Sequence, residues 1–324
     1  MLLLLTRLAL ATTCANYAVP EPYVVEGLPV ESSGIVASRV HPDVWYTHPD
    51  GGNDREIYSY DFESGLRGVH FAPGIANGDW EDIAAGKCPD GEPCLYIGDI
   101  GDNDLGRETI SVALVREPEI ADRDLDRVDV WEFTYPDGQH DAEAMVVHPC
   151  TGTVYIFTKS AVETRIYRAP ADAGQGVTTL ELVHGIDHAS SGLDLEQGIT
   201  GADWDRDGER LVVRTAARLW EWETDPAAPE AHWENLPRRV NDVDEVQGEA
   251  VGFSQEGAIV TGSEGTPLMG NILQCSGETP AAGECPFSPV YEQGCSGCAT
   301  TTPAAGIVGL LVALAMVGMR RPTV

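Results

Sequence analysis

Apolar and aromatic residues come in short runs along most of the chain, and turns rich in Gly, Asp and Pro separate them. The runs return in sets at a period of about 45 residues, which is the range of propeller blades. The strand that opens each set reads Ser33-Gly34-Ile35-Val36, Glu81-Asp82-Ile83-Ala84, Glu143-Ala144-Met145-Val146, Thr200-Gly201-Ala202-Asp203 and Glu249-Ala250-Val251-Gly252. A turn and a second strand follow each time, as in Leu95 to Gly98 or Val154 to Phe157. Third strands include Glu56 to Tyr60, Arg165 to Arg168 and Arg218 to Trp222, and fourth strands are expected at Val69 to Pro73, Val128 to Tyr135, Thr178 to His184 and His232 to Pro237. Val, Ile, Tyr and Trp suit a pleated, half-buried surface, whereas Gly and Asp accept the backbone of tight hairpins. The pattern predicts an all-β propeller of five four-stranded blades. The strand from Tyr23 to Gly27 would complete the last blade and close the ring, which leaves only short edges exposed. Six blades stay open if the segment from Phe287 to Tyr291 hides another.

The 324 residues are 43% apolar, enough for a substantial core, but 52 acidic residues face only 20 basic ones. A formal charge of −32 repels nucleic acid and anionic lipid headgroups, so no nucleic-acid partner is expected. The ends read as addresses. Met1 to Leu10 is almost all Leu and Ala with one Arg7, and small residues follow, the pattern of a secretory leader cut after Ala15 or Ala18. Lipidation at Cys14 is the alternative. The apolar run from Ala304 to Met319, followed by Arg320 and Arg321, is expected to span a membrane with the domain outside. The expected layout is a signal peptide at 1–18, a propeller at 19–290, a Cys/Thr-rich linker at 291–303 and a transmembrane helix with basic tail at 304–324. The protein is then exported, held at the cell surface or envelope membrane, and expected to be a monomer.

Cysteine usage agrees with an oxidising compartment. Cys88 and Cys94 flank one tight turn, and Cys275 and Cys285 flank a Gly/Pro-rich segment, so each pair is expected to close a small disulfide loop. Cys150 is left over. No two C-x-x-C units occur at zinc-ligand spacing.

The chemistry concentrates where the inner strands begin. That aligned position carries Ser33, Glu81, Glu143, Thr200 and Glu249, and a propeller channel would gather them. Carboxylates crowded into a desolvated place repel unless a cation intervenes. Lys159 and Arg214, aligned at the ends of second strands beside His48, Asp99 and Glu264, offer an internal ion-pair network. A Ca²⁺ ion is the other reading, with Glu81, Asp99, Glu143 and Glu249 as candidate ligands, because a hard cation prefers oxygen. The loop Gly98-Asp99-Ile100-Gly101-Asp102-Asn103-Asp104 either holds a cation or is a solvated turn. Asp203 to Gly208 opens like an EF-hand loop, but Arg214 stands where the bidentate Glu is needed, so it reads as a hairpin turn. Were the site hydrolytic, Glu81 or Glu143 would be the base and Lys159 or Arg214 would stabilise the developing anion. Ser33, His48 and Asp50 have the residue types of a triad but lack a nucleophile elbow.

Two resemblances add to this. Gly294-Cys295-Ser296-Gly297-Cys298, the single apolar span and the terminal arginines resemble the myxobacterial C-terminal sorting signal, MYXO-CTERM, which implies a surface anchor at Cys295 and Cys298. Asp79-Trp80-Glu81-Asp82-Ile83-Ala84, Tyr96 to Asn103, Asp141-Ala142-Glu143-Ala144 and Gln247-Gly248-Glu249-Ala250 resemble a family of uncharacterised bacterial exported propellers. They are distantly similar to esterase-like-phytase and lactonase propellers. The residues themselves favour a binding or scaffold module that takes an unknown small molecule or surface partner; the lactonase likeness implies the alternative, a Ca²⁺-dependent hydrolase of small esters, lactones or phosphoesters.

Overall fold

The computed structural model describes residues 14–288 except 15, 53, 194, 196–197, 241, 246, 266–267, 277–284 and 286. Cys295, Cys298, the terminal span and residues 1–13 lie outside the described residues. Among those described, no helix is long and apolar enough to cross a membrane.

Five antiparallel sheets form the blades. Blade 1 comprises Ser32–Ala37, Trp45–Pro49, Glu56–Asp61 and Gly65–Phe71; blade 2 comprises Trp80–Lys87, Pro93–Asp99, Ile110–Arg116 and Arg127–Thr134. Blade 3 runs Ala142–Val147, Val154–Thr158, Glu163–Arg168 and Glu181–Asp187, and blade 4 runs Gly201–Trp204, Arg210–Arg214, Leu219–Glu223 and Arg238–Arg239. Blade 5 takes Gly248–Phe253, Ile259–Ser263 and Leu268–Leu273 from the C-terminal side and Glu21–Val25 from the N-terminal side. Glu21 pairs with Ile272 and Val25 with Leu268, so the first and last described strands share one sheet and the ring closes as expected. The first strands of successive blades pack against one another around the axis.

Five apolar clusters fill the seams between adjacent blades. Tyr96, Trp131 and Met145 lie in the cluster between blades 2 and 3, Phe157, Trp204 and Trp222 between blades 3 and 4, and Val25, Trp45 and Val260 between blades 5 and 1. Each blade therefore buries both faces against its neighbours, as the stacking of repeats requires.

Hydrogen bonds staple the inner strands across the seams. Ser33 Oγ donates to the Glu81 carbonyl at 2.6 Å, and Thr200 Oγ1 donates to the Gly248 carbonyl at 3.0 Å. The Asp82 carboxylate accepts from Met145 N and that of Asp203 from Phe253 N, both at 2.8 Å. Gly34 is needed at one crossing, since a Cβ there would stand 2.6 Å from Ile83 N.

Three sequence expectations are corrected. Thr178 to His184 is not one strand: Val177–Thr179 adds in parallel to the outer edge of blade 2, and Glu181–Asp187 begins the outer strand of blade 3. The outer strand of blade 4 is Arg238–Arg239 and not His232 to Pro237, because that segment turns inward and buries His232 and Trp233 against Trp204 and Trp222. Cys275 does not bond Cys285. Among the described residues the disulfides are Cys88–Cys94, as expected, together with Cys14–Cys275 and Cys150–Cys285. Ring closure brings residues 261 positions apart together, and loop spacing along a sequence cannot show that. Cys14, placed by sequence in the leader, thus lies in the propeller beside Tyr17, whose hydroxyl donates to Glu221 at 3.0 Å.

Candidate functional site: the acidic mouth of the channel

Strand register explains how the glutamates come to face the mouth. Trp80 pairs with Asp99, but Asp82 pairs with Gly98, so Glu81 is an extra residue opposite no partner. Glu143 lies in the same irregularity between Ala142 and Ala144, Glu249 between Gly248 and Ala250, and Ser33 within the shift from Ser32 to Ile35. A bulge of this kind bends the strand and re-aims a side chain out of the alternation. Blade 4 pairs Gly201 with Arg214 and then runs on regularly.

Around these bulges the acids accumulate. Carboxylate oxygens of Asp50, Asp79 and Glu81 all lie within 4.8 Å of one another. Asp50 follows the second strand of blade 1, whereas Asp79 and Glu81 flank Trp80 at the start of blade 2. A Cβ on Gly101 would strike the carboxylates of both Asp79 and Glu81, and one on Gly51 would come within 2.8 Å of Asp79 Cα, so two glycines are needed for the carboxylates to sit here. Glu143 stands near, only 6% exposed; Lys159 holds its Oε1, but its Oε2 is buried without a partner.

The electrostatics follow from burial without enough positive charge. Glu81 is 7% exposed; burial, then the charges of Glu143, Asp50, Asp79 and Asp141, push its carboxyl up to about 11. Burial raises Glu143 to about 8 in spite of Lys159, and burial with Glu249, Asp50 and Glu31 raises Glu264 to about 7. Asp50 and Asp79 are raised too, chiefly by burial. Among the described residues, Lys159 is the cation whose charge reaches Asp50, Glu143, Glu249 and Glu264 alike. A divalent cation is the physical alternative to protonating such a cluster.

Several sequence candidates take other roles. Asp99, a candidate ligand by sequence, lies outside the group of converging carboxylates. Its carboxylate accepts from Asp79 N at 2.9 Å and Gly78 N at 3.2 Å and pairs with Arg107 at 2.8 Å, so it positions the backbone of Asp79. The Gly98 to Asp104 loop is likewise scaffold: Ile100 N and Gly101 N donate to the Asp79 carbonyl, and Arg107 donates to the Gly101 carbonyl at 2.7 Å. Arg214 is not available to an anion. It is fully buried, donates to the carbonyls of Ala250 at 2.9 Å and Gly262 at 3.1 Å, and pairs with Glu245 at 2.9 Å. Glu249 accepts from Gln247 at 3.0 Å. Ser33 is a staple and His48 packs edge-on against Trp80 with Nδ1 on the Pro49 carbonyl, so no triad forms. The Asp203 to Gly208 segment is the hairpin turn expected, closed by Gly208 N on the Asp205 carbonyl. Asp50 and Asp79 join the acidic cluster although the sequence reading did not place them there; the Asp50-Gly51-Gly52 turn, a carboxylate with glycines beside it, is the signal for the first.

No family model matches the chain, and no curated protein matches it. Solved structures do show likeness. The PQQ-bound aldose sugar dehydrogenase of Streptomyces coelicolor aligns at 11% identity and a TM-score of 0.46, covering 80% of this chain and 100% of that one. The apo form of the soluble aldose sugar dehydrogenase of Escherichia coli aligns at 9% identity, also at a TM-score of 0.46, covering 79% and 100%. Neither likeness carries an argument about the acidic mouth, which stands on its own geometry.

Proposed function

We propose that this chain is an exported, surface-anchored propeller whose acidic mouth takes a Ca²⁺ ion and presents it as the docking point for a small molecule or surface partner. The observation that carries the reading is the convergence of Asp50, Asp79 and Glu81 from two blades within 4.8 Å. The buried, unpartnered Glu143 Oε2 supports it independently, since a polar atom left so in a dry site is costly. Asp50, Asp79 and Glu81 would hold the ion, with Glu143 beside it, and all four supply the hard oxygen ligands that Ca²⁺ prefers. When bound, the ion would polarise an oxygen of whatever docks there. Three disulfides support an oxidising compartment and hence export. Removal of the leader ahead of Cys14, with Ala11 and Thr13 as the small residues before the cut, would preserve the Cys14–Cys275 bond.

The second reading is a Ca²⁺-dependent hydrolase of small esters, lactones or phosphoesters. The Glu143–Lys159 pair next to the cluster favours it, because a basic carboxylate and a cation there match a proton acceptor and an anion stabiliser. Metal analysis of the purified chain and melting with and without a chelator test the shared claim. Bound calcium and a lower melting temperature after chelation are expected, since a ligand that prefers the native state stabilises it. A metal-free protein indifferent to added Ca²⁺ would remove both readings. Turnover of a lactone, aryl-ester or phosphoester panel that vanishes in Glu143→Gln would choose the hydrolase.

A further inference from the structure

The seams between blades are packed by a repeating pair of side chains, and in one seam both members are alanine. Near the end of each inner strand one residue faces the preceding blade, and register aligns the five: Ala37 opposite Trp45, Ala85 opposite Leu95, Val147 opposite Val154, Trp204 opposite Leu211 and Phe253 opposite Ile259. The residue before each of those partners is Val44, Cys94, Thr153, Arg210 or Ala258, and it faces the following blade. Val44 thus shares a cluster with Ala85, Cys94 shares one with Val147, and the Arg210 guanidinium lies over Phe253 at 4.6 Å. Between blades 5 and 1 the pair is Ala258 and Ala37, and a cavity of about 450 Å³ stands there. A seam left short of side-chain volume is a preformed pocket.

The gap is held at its width. Gln255, in the turn after blade 5's inner strand, donates to the Ser38 carbonyl at 2.8 Å and the His41 carbonyl at 3.0 Å, which ties that turn to its counterpart in blade 1. Beyond Gln274 the chain leaves the cleft, because Cys275 bonds Cys14 against the apolar cluster on the other face of blade 5. Trp45, Val260 and Ile272 join the two alanines in the apolar lining, and half-buried Phe62 leans on Trp45 with ring centroids 5.7 Å apart. The charged lining is one-sided. Asp43, Asp61, Glu63 and Glu256 bring carboxylates, and among the described residues Arg67 is the cation that lines the cleft, paired with Asp61. Such a place repels an anion, and a neutral sugar gains nothing from the excess charge. A molecule with an aromatic body and a positive end meets both features, since a cation is also attracted to an aromatic face.

We propose that the cleft between blades 5 and 1 binds a small arylalkylammonium, its aromatic body against Trp45 and Phe62 and its ammonium toward the carboxylates of the rim, Glu63 and Glu256 among them. The cleft shares no side chain with the acidic mouth, so it does not depend on the Ca²⁺ reading.

The test is calorimetric titration of the full chain with tryptamine, in chelator and at fixed ionic strength. Tryptophol serves as the neutral control, indole-3-propionate as the anionic one and glucose as the sugar. Saturable binding of the amine is expected, with tryptophol at least tenfold weaker and no heat from the anion or the sugar. Ca²⁺ in place of chelator should leave the amine's affinity unchanged, whereas displacement by Ca²⁺ would put the amine at the mouth and overturn the proposal. Ala258→Leu, which fills the gap, should abolish binding. Glu63→Gln/Glu256→Gln, at two exposed positions, should weaken it at least tenfold with an unchanged melting temperature, and this pair serves alone if Ala258→Leu fails to fold. No saturable heat, equal affinity for tryptamine and tryptophol, tighter binding of glucose, or parental affinity in either variant would overturn the proposal.

Discussion

Two places in the same ring solve one electrostatic problem differently. Where blades 4 and 5 meet, Arg214 fills the seam with its guanidinium on two carbonyls and on Glu245, and Gly248 leaves it room, since a Cβ there would run into that guanidinium. Where blades 1 and 2 meet, Asp50, Asp79 and Glu81 converge with their carboxylates within 4.8 Å of one another, and Arg107 pairs with Asp99. The first arrangement carries its own counter-charge. The second crowds like charges together, and crowded carboxylates with raised pKa values are found at functional sites more often than at structural ion pairs.

Breaking the ion-paired side should have the largest effect. Arg214→Leu leaves Glu245 without its ion pair and removes the cross-seam bonds, a loss expected to be about 3–5 kcal/mol. Set against the roughly 5–15 kcal/mol that holds a native protein together, this should show as a large drop in urea midpoint or as failure to fold. A native-like midpoint would mean that the seam does not need its cation. Opening the ring's covalent latch comes next. Cys14→Ser with Cys275→Ser should cost up to about 5 kcal/mol on the chain-entropy view of so long a loop, read from the same unfolding curve.

Relieving the crowded side should act in the opposite direction. In metal-free protein Glu81→Gln removes a carboxyl that burial and its neighbours hold at about 11, so it should stabilise by about 1–3 kcal/mol near pH 8. An equal or lower melting temperature would show that Glu81 is not repelled.

The same contrast appears against pH. The folded values of Glu81, about 11, and Glu143, about 8, lie above the ordinary 4.5. Each therefore gives stability that is whole below 4.5 and is lost as pH rises through the folded value. His48, His148 and His232 are buried and held at about 4, below the ordinary 6.5, so their contribution is whole above 6.5 and is lost as pH falls toward 4. Metal-free protein should thus be most stable near pH 6 to 7, with a falling alkaline limb that Ca²⁺ removes. Melting temperatures across pH 4 to 9, with chelator and with Ca²⁺, check this, and an alkaline limb untouched by Ca²⁺ would count against the ion.

How much of this was legible in the sequence follows from what is local. The blade count, the closing N-terminal strand and the aligned positions of Glu81, Glu143 and Glu249 come from periodicity, which a repeat writes into every copy. The bulges do not, because an unpaired residue is defined only by the register of the strand opposite. Asp99 misled for a related reason: a carboxylate after a strand looks the same whether it meets a cation or, as here, Arg107 and two backbone amides. Arg214 was placed correctly at a strand end, yet its partner Glu245 comes from a neighbouring loop that no alignment of repeats aligns. Cys14 and Cys150 found partners 261 and 135 residues away, distances that only ring closure shortens.

Calorimetric titration of Ca²⁺ into metal-free parent protein and into Asp79→Asn tests the centre of the account most directly. One ion per chain, bound with saturable heat by the parent and at least tenfold more weakly by the variant, is the predicted result. No heat in either, or equal affinity in both, would contradict it, and the acids at the mouth would then be carrying protons and not a metal.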